Sequence, residues 1–271
     1  MSTERIAVLP MYDFPDVADA HDLWWRAIAV RLRAAGVGDV PDGLRRDVAH
    51  EESWRDPRLL LGQACEYPLA TGHGAFVQLV ATPCYGAPGC AGARYRSAIV
   101  VRAADAARSA ADLRGRRGVV NDPQSNSGMN LLRATLAPFA RGDGFFESVA
   151  VSGSHWRSAR LVADGGADAA AIDCVTYAHL LRCDPALVAR LRVLDWTPSS
   201  PSLPYITARS TPPATVQALR EALAAAAVEP GLAGVRERLF ITGFELNVDA
   251  GFAEVLALER RAAEWRYPVL R

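Results

Sequence analysis

Three short segments put hydroxyl, imidazole and carboxylate side chains directly after runs of small apolar residues. The first is Val119-Val120-Asn121-Asp122-Pro123-Gln124-Ser125-Asn126-Ser127-Gly128. The apolar pair reads as the end of a strand and Ser-x-Ser-Gly as the start of a helix. Unpaired N–H groups at a helix N-terminus, with two hydroxyls beside them, suit a small anion. Serine and asparagine are also ordinary helix caps, so a structural reading of the same residues stays open. Four polar residues and a glycine in succession exceed what a cap needs.

The second segment is Val149-Ala150-Val151-Ser152-Gly153-Ser154-His155. His155 falls in the first turn of the next helix, where the helix dipole favours neutral imidazole. A neutral imidazole still donates one N–H to an oxyanion. A lone histidine is more often structural than functional. His155 is singled out because it falls at the same edge of the same expected sheet as Ser125, Asn126, Ser127 and Gly128. The third segment, Ala169-Ala170-Ala171-Ile172-Asp173-Cys174, ends a buried strand on Asp173. Asp173 has two readings: the cap of the next helix, or an acceptor facing a protonated ligand oxygen, a ligand cation or His155. Tyr12 and Tyr67 stand where strands of the N-terminal part should end, either closing over a ligand or packing there. Arg94 and Arg96 alternate along another expected strand.

The elements that must position these groups alternate short strands with amphipathic helices, an α/β pattern. Expected in the N-terminal part are a strand over 5–11, a helix over 17–35 stopped by Gly36 and a strand over 44–49. A helix is expected from Asp56-Pro57 through Leu61, then strands over 76–82 and 95–101 joined by a Pro/Gly loop. The next part reads as a short helix near 109–115, strands at 118–121, 149–151, 169–172 and 193–194, and helices at 128–140, 155–164 and 174–182. Two chain crossings, near 101–104 and 196–206, give a discontinuous first lobe (1–102 and 205–271) and a second lobe (103–204). Helices over 215–227 and 253–266 are expected to pack on the first lobe. A ligand would then bind in the cleft between lobes, where strand C-termini and helix N-termini point inward.

Composition narrows the function classes. The chain has 271 residues with 30 basic and 30 acidic side chains, and every basic one is arginine. A formal net charge of zero argues against a nucleic-acid or membrane-surface footprint. No run approaches the ~20 apolar residues that span a bilayer, and Met1–Arg5 leads straight into Ile6–Pro10 with no secretory hydrophobic region ahead of it. On this reading the chain is cytoplasmic or its export signal lies outside it. The five cysteines, Cys65, Cys84, Cys90, Cys174 and Cys183, form no CxxC pair and have no metal-ligand spacing. Cys84 and Cys90 flank a loop and are either a disulfide or two small apolar residues. No nucleophile elbow or phosphate-binding loop is present. A Cys174–His155 pair is the one enzymatic arrangement imaginable, and neither catalysis nor a cofactor or metal is expected.

Taken together, Pro-x-Ser-x-Ser-Gly at 123–128, Gly-x-His at 153–155 and Ala-Asp at 167–168 followed by Ala-Ala-Ala-Ile-Asp resemble the phosphate/phosphonate ABC-transporter solute-binding family. The segments Leu9–Pro15 and Gln63–Leu69 are similar to its members as well, so the resemblance runs over roughly residues 5–210. It implies an α/β, two-lobed type II periplasmic-binding-protein fold, with mixed sheets flanked by helices and an interlobe cleft. It implies a small phosphorus oxyanion held by Ser125, the Asn126 backbone, Ser127 and His155, with Tyr95 as a cleft tyrosine. It further implies a periplasmic protein that, if exported, passes its ligand to ABC permease subunits, and a monomer is expected. Where relatives that bind aminoethylphosphonate carry carboxylates for the ligand's ammonium, this chain has Val175 and Leu203. The alternative reading is a cytoplasmic ligand-sensing module, or a small-molecule enzyme, on the same fold.

Overall fold

A computed structural model describes residues 4–140, 144–246 and 251–271. In chain order the first elements are β1 (Ile6–Val8), α1 (Ala18–Ala34), α2 (His50–Arg55), β2 (Leu59–Gln63), α3 (Glu66–Thr71) and β3 (Val77–Tyr85). Then come β4 (Arg94–Tyr95), β5 (Ser97–Arg102), β6 (Arg117–Val120), α4 (Leu131–Leu136), β7 (Ser148–Val151) and α5 (His155–Ala163). The chain continues with β8 (Ala169–Asp173), α6 (Cys174–Cys183), α7 (Pro185–Val188), β9 (Leu191–Trp196) and β10 (Ser200–Pro201). It closes with β11 (Tyr205–Ala208), α8 (Pro213–Val228), α9 (Ala233–Arg238), β12 (Ile241–Glu245) and α10 (Phe252–Glu264). No described helix is long and apolar enough to cross a membrane.

The chain forms two compact units. The first comprises Met1–Gly86, Ala91–Ala93 and Ser202–Ala250. Its sheet runs β1-β2-β11-β3-β12, with β1 parallel to β2 and the other pairs antiparallel. Three expectations fail here. Leu59–Leu61 is buried strand rather than helix, because a short apolar run covered on both faces is equally compatible with either period. The helix lies just before it and stops ahead of Pro57, whose ring disfavours helical backbone at the preceding residue. Residues 44–49 form no strand. Arg45 and Arg46 there pair with Asp47 and with Asp13 and Asp22. The helices expected at 215–227 and 253–266 are present as α8 and α10, but 193–194 is not the last strand, since β11 and β12 follow it. Both complete the first sheet around β3, the strand they flank.

The second unit comprises Ala87–Cys90, Arg94–Pro201 and Gly251–Arg271. Its sheet runs β7-β6-β8-β5-β9, with β6, β7 and β8 parallel and β5 antiparallel to its neighbours. Ala98, Val100, Val119, Ala170 and Ile172 from the strands pack with Ala159, Val162 and Leu180 of the helices in one fully buried cluster. Small side chains on β8 let α5 and α6 come close to the sheet. The division differs from the expected lobes at 87–90, 94–102, 202–204 and 251–271. Residues 94–102 belong to the second unit, since β5 pairs with β8 and β9. The C-terminal helix does too: Asn130 Nδ2 donates to the Val255 carbonyl and Arg133 to that of Pro268.

Candidate functional site

The parallel order of β7, β6 and β8 brings three expected segments to one end of one sheet. Val120 is paired with Val151, and the pairing carries on past the strand ends. Ser152 N–H donates to the Val120 carbonyl and Gly153 N–H to that of Asn121, each at 2.9 Å. The loop after β7 is thereby fastened to the loop after β6. Gly153 turns the chain there with φ +87°, a conformation that suits glycine. Ser154 then caps α5, accepting from Arg157 N–H at 3.2 Å, which starts the helix at His155.

The loop after β6 is built by its own polar side chains. Asp122 accepts from Gln124 N–H, and Ser125 Oγ accepts from Gly128 N–H at 2.9 Å. Residues 126–130 form a single π-type turn ahead of α4. Such turns are uncommon and recur at functional sites. Ser125 and Ser127 hydroxyls lie 3.2 Å apart, and Ser127 Oγ shares a 2.8 Å hydrogen bond with His155 Nε2. Burial holds the His155 imidazole well below its ordinary range, at about 4, against a smaller opposite influence of the Ala171 backbone. At neutral pH the ring is therefore uncharged, with one N–H to give and one lone pair to receive. Two hydroxyls, a neutral imidazole and the amide groups of a helix start thus stand together.

Asn126 is fully buried and supports the turn from behind. Its Nδ2 donates to Tyr95 Oη at 3.0 Å and Ser200 Oγ at 2.8 Å, and its Oδ1 accepts from Asn130 Nδ2 at 2.9 Å. Tyr95 and Ser200 are themselves register partners in the β4–β10 ribbon. Arg133 completes the chain by donating to Asn130 Oδ1 at 2.7 Å. A network satisfied at each of these atoms costs little to bury and fixes the turn in one geometry. Ser200, Asn130 and Arg133 were not singled out in the sequence. Their partners lie 74, 4 and 3 positions away, and nothing local marks Ser200 as one of them.

Gly128 is needed for a reason other than turn geometry. A Cβ there would stand 1.8 Å from Asn121 Oδ1 and 3.2 Å from His155 Cε1. Asn121, the first residue after β6, thus lies against the turn, a role its sequence position did not reveal. Asp173 is buried at the end of β8, and its Oδ1 accepts from Val175 N–H at 2.8 Å and Thr176 N–H at 3.1 Å. These bonds make the helix cap, one of its two expected roles. The imagined Cys174–His155 pair is replaced by two others: His155 with Ser127, and Cys174 with Cys90, whose sulfurs are 3.3 Å apart. Cys90 therefore faces Cys174 rather than Cys84, which lies on β3 of the first unit.

Asp168 belongs to the other end of the strands. Arg117 and Arg102 grip it at 2.8 and 2.9 Å, and these bonds hold its carboxyl far below the usual carboxylate range. Tyr12 and Tyr67 are buried in the first unit. The Tyr12 ring meets Tyr85 edge-on with centroids 5.2 Å apart, and Tyr67 lies in α3. The positions expected to bear carboxylates in amine binders, Val175 and Leu203, are buried apolar residues, in α6 and just ahead of β11 respectively.

This is the α/β, two-lobed fold of the periplasmic binding proteins, mixed sheets flanked by helices. The chain belongs to the ABC-transporter phosphonate periplasmic substrate-binding protein family, whose sequence profile matches residues 60–251. It is accordingly a solute-binding protein. Among solved structures it is similar to PhnD1 from Prochlorococcus marinus (MIT 9301) in complex with methylphosphonate, at 14% identity and TM-score 0.76, covering 97% of this chain and 100% of that one. It is also similar to a binding protein component of an ABC phosphonate transporter, PA3383 from Pseudomonas aeruginosa, at 16% identity and TM-score 0.73, covering 97% and 88%. A third, XAC2383 from Xanthomonas citri bound to chloride ion, shows 17% identity and TM-score 0.72 over 98% and 99%. No curated protein sequence matches the chain.

Proposed function

We propose that this protein captures a small phosphorus oxyanion, of phosphate or phosphonate type, and presents it to ABC permease subunits from the periplasm. The ligand oxygens would be held by Ser125 and Ser127 hydroxyls, the backbone N–H groups of Asn126 and Ser127 ahead of the capped Gly128, and neutral His155. The observation that carries this reading is the 2.8 Å bond between Ser127 Oγ and His155 Nε2 at a helix start. It gathers three kinds of donor without a cation. Donors of that kind bind an anion by direction rather than by net charge, in keeping with a chain whose formal charge is zero. The solved relative bound to methylphosphonate makes that ligand the natural first probe. Tyr95 serves indirectly in this reading, by holding Asn126. The apolar Val175 and Leu203 favour ligands without an ammonium group over aminoethylphosphonate.

A hydroxyl bonded to an imidazole is also the pairing of a nucleophile with its base. The proposal is capture without turnover. Thermal denaturation of the ligand-free protein with phosphate, phosphite, methylphosphonate, aminoethylphosphonate and sulfate tests the binding. Phosphorus NMR of the recovered ligand tests the turnover. A micromolar ligand at millimolar concentration adds about 4 kcal/mol to stability, a plain rise in Tm. Stabilisation by a phosphorus oxyanion that is recovered unchanged supports the proposal. Folded protein that responds to none of these anions, or that converts one, overturns it.

A further inference from the structure

We infer that Cys90 and Cys174 form a disulfide-modification site, oxidised by thiol–disulfide exchange with an external low-molecular-weight disulfide. The two sulfurs are 3.3 Å apart with both residues in the second unit, though 84 positions separate them in sequence. Each side is held by its backbone. Cys174 opens α6 with its N–H donating to the Arg96 carbonyl at 3.1 Å. Cys90 closes a tight turn, donating its N–H to the Ala87 carbonyl at 3.0 Å. The loop between them and the fold is pressed so closely that Gly89, at φ +102°, has no room for a side chain. A Cβ there would lie 2.7 Å from the Trp196 ring and 3.0 Å from Cys174 Cβ. The pair is therefore seated by the fold, and bonding it needs the sulfurs to close only to about 2.05 Å.

The chemistry starts at Cys90, which is partly exposed, whereas Cys174 is buried. The Cys90 thiolate attacks one sulfur of the external disulfide and expels one small thiolate, leaving a mixed disulfide on Cys90. Cys174 then gives up its proton to solvent, attacks Cys90 Sγ and expels the second small thiolate. Two protein thiols are oxidised and one external disulfide is reduced to two thiols. The Cys90 contact, followed by burial, raises the Cys174 thiol far above its ordinary range. Burial persists once Cys90 is in the mixed disulfide, so the second step is slower near neutrality than in base. The cross-link fastens Ala87–Cys90, a segment whose chain neighbours on both sides belong to the first unit, onto the start of α6.

The reduced full chain carries five thiols. Incubation of the native protein with oxidised glutathione is expected to leave three titratable thiols, at a rate several-fold higher at pH 9 than at pH 7. Closing so long a loop should raise Tm by roughly 5–15 °C, reversed by dithiothreitol. Cys84→Ser should lose two thiols like the parent, while Cys90→Ser should lose none and gain no stability. Cys90 being partly exposed, its serine variant keeps the test open if Cys174→Ser fails to fold. Five thiols persisting in folded, oxidant-treated protein would overturn the inference, as would a Cys84–Cys90 link found on peptide mapping.

Discussion

Ser127 Oγ and His155 Nε2 share a 2.8 Å hydrogen bond across 28 positions of sequence, and each residue stands at the start of a helix that follows a parallel strand. The bond exists because β6 and β7 are neighbours in parallel register, so their two following loops leave the sheet side by side. It joins the two segments that supply the proposed ligand donors, and it makes each residue's contribution separable by substitution.

Ser127→Ala and His155→Ala should each weaken methylphosphonate or phosphate binding by about 10- to 100-fold, the range for hydrogen bonds to charged groups. The double variant should show no measurable binding by titration calorimetry. Its far-UV circular dichroism should match that of the parent. Affinity within a factor of two of the parent in the double variant would remove both residues from the site.

Gly128→Ala should destabilise the protein by about 2–3 kcal/mol, through the overlap of the new Cβ with Asn121 Oδ1. Glycine to alanine in an unobstructed helix would instead stabilise by roughly 0.5–1 kcal/mol. Adding Asn121→Ala should recover most of the loss. Urea titration of the two single variants and the double variant measures the coupling, and additive effects would contradict a direct clash.

Asn126→Ala should cost about 2–4 kcal/mol, since it strips partners from buried Tyr95, Ser200 and Asn130 at once. Tyr95→Phe removes one of those bonds and should cost about 1 kcal/mol. If Tyr95 acts by holding the turn, its phenylalanine variant should also keep most of the ligand affinity. A loss as large as that of Ser127→Ala would make the Tyr95 hydroxyl a direct ligand contact.

Asp173→Asn keeps a capping side chain and should change stability by less than about 1 kcal/mol, with affinity unchanged, because asparagine caps as well as aspartate. Asp173→Ala should cost about 1–2 kcal/mol. A carboxylate facing the ligand would give the other pattern, with affinity lost in the asparagine variant while stability is kept.

The His155 imidazole is lowered from its unfolded value of 6.5 to about 4. In that window the unfolded chain takes up a proton that the folded one refuses. Stability from this group is therefore fully present above pH 6.5, falls as pH drops toward 4, and levels off below. The fall amounts to about 3 kcal/mol at most. Chemical denaturation at pH 7.5 and 4.5 should show a smaller difference in His155→Gln than in the parent. Equal differences in the two proteins would mean that other groups govern the acid limb.

Much of this was legible along the chain. Every expected strand and helix of the second unit after residue 103 is present, because each is a short apolar or amphipathic run bounded by its own caps and glycines: Ser125, Ser154 and Asp173 at starts, Gly115, Gly153 and Gly165 at turns. The polar segments could be grouped at one sheet edge because parallel strands joined by helices put all their C-terminal ends together. Local pattern failed where partners lie far off. Leu59–Leu61 is a strand only because β1 and β11 flank β2, and among the described residues the brief run at β12 pairs with β3 alone. The cysteine pairing is the plainest case. The sequence leaves open whether Cys84 and Cys90, which flank one loop, are linked, while the fold sets Cys90 against Cys174, 84 positions on. Residue type and local period fix which groups can bind, cap or cross-link. Which of them meet is decided by strand order, since pairing across a sheet depends on the packing energy of the whole layer and leaves no mark on the residues between.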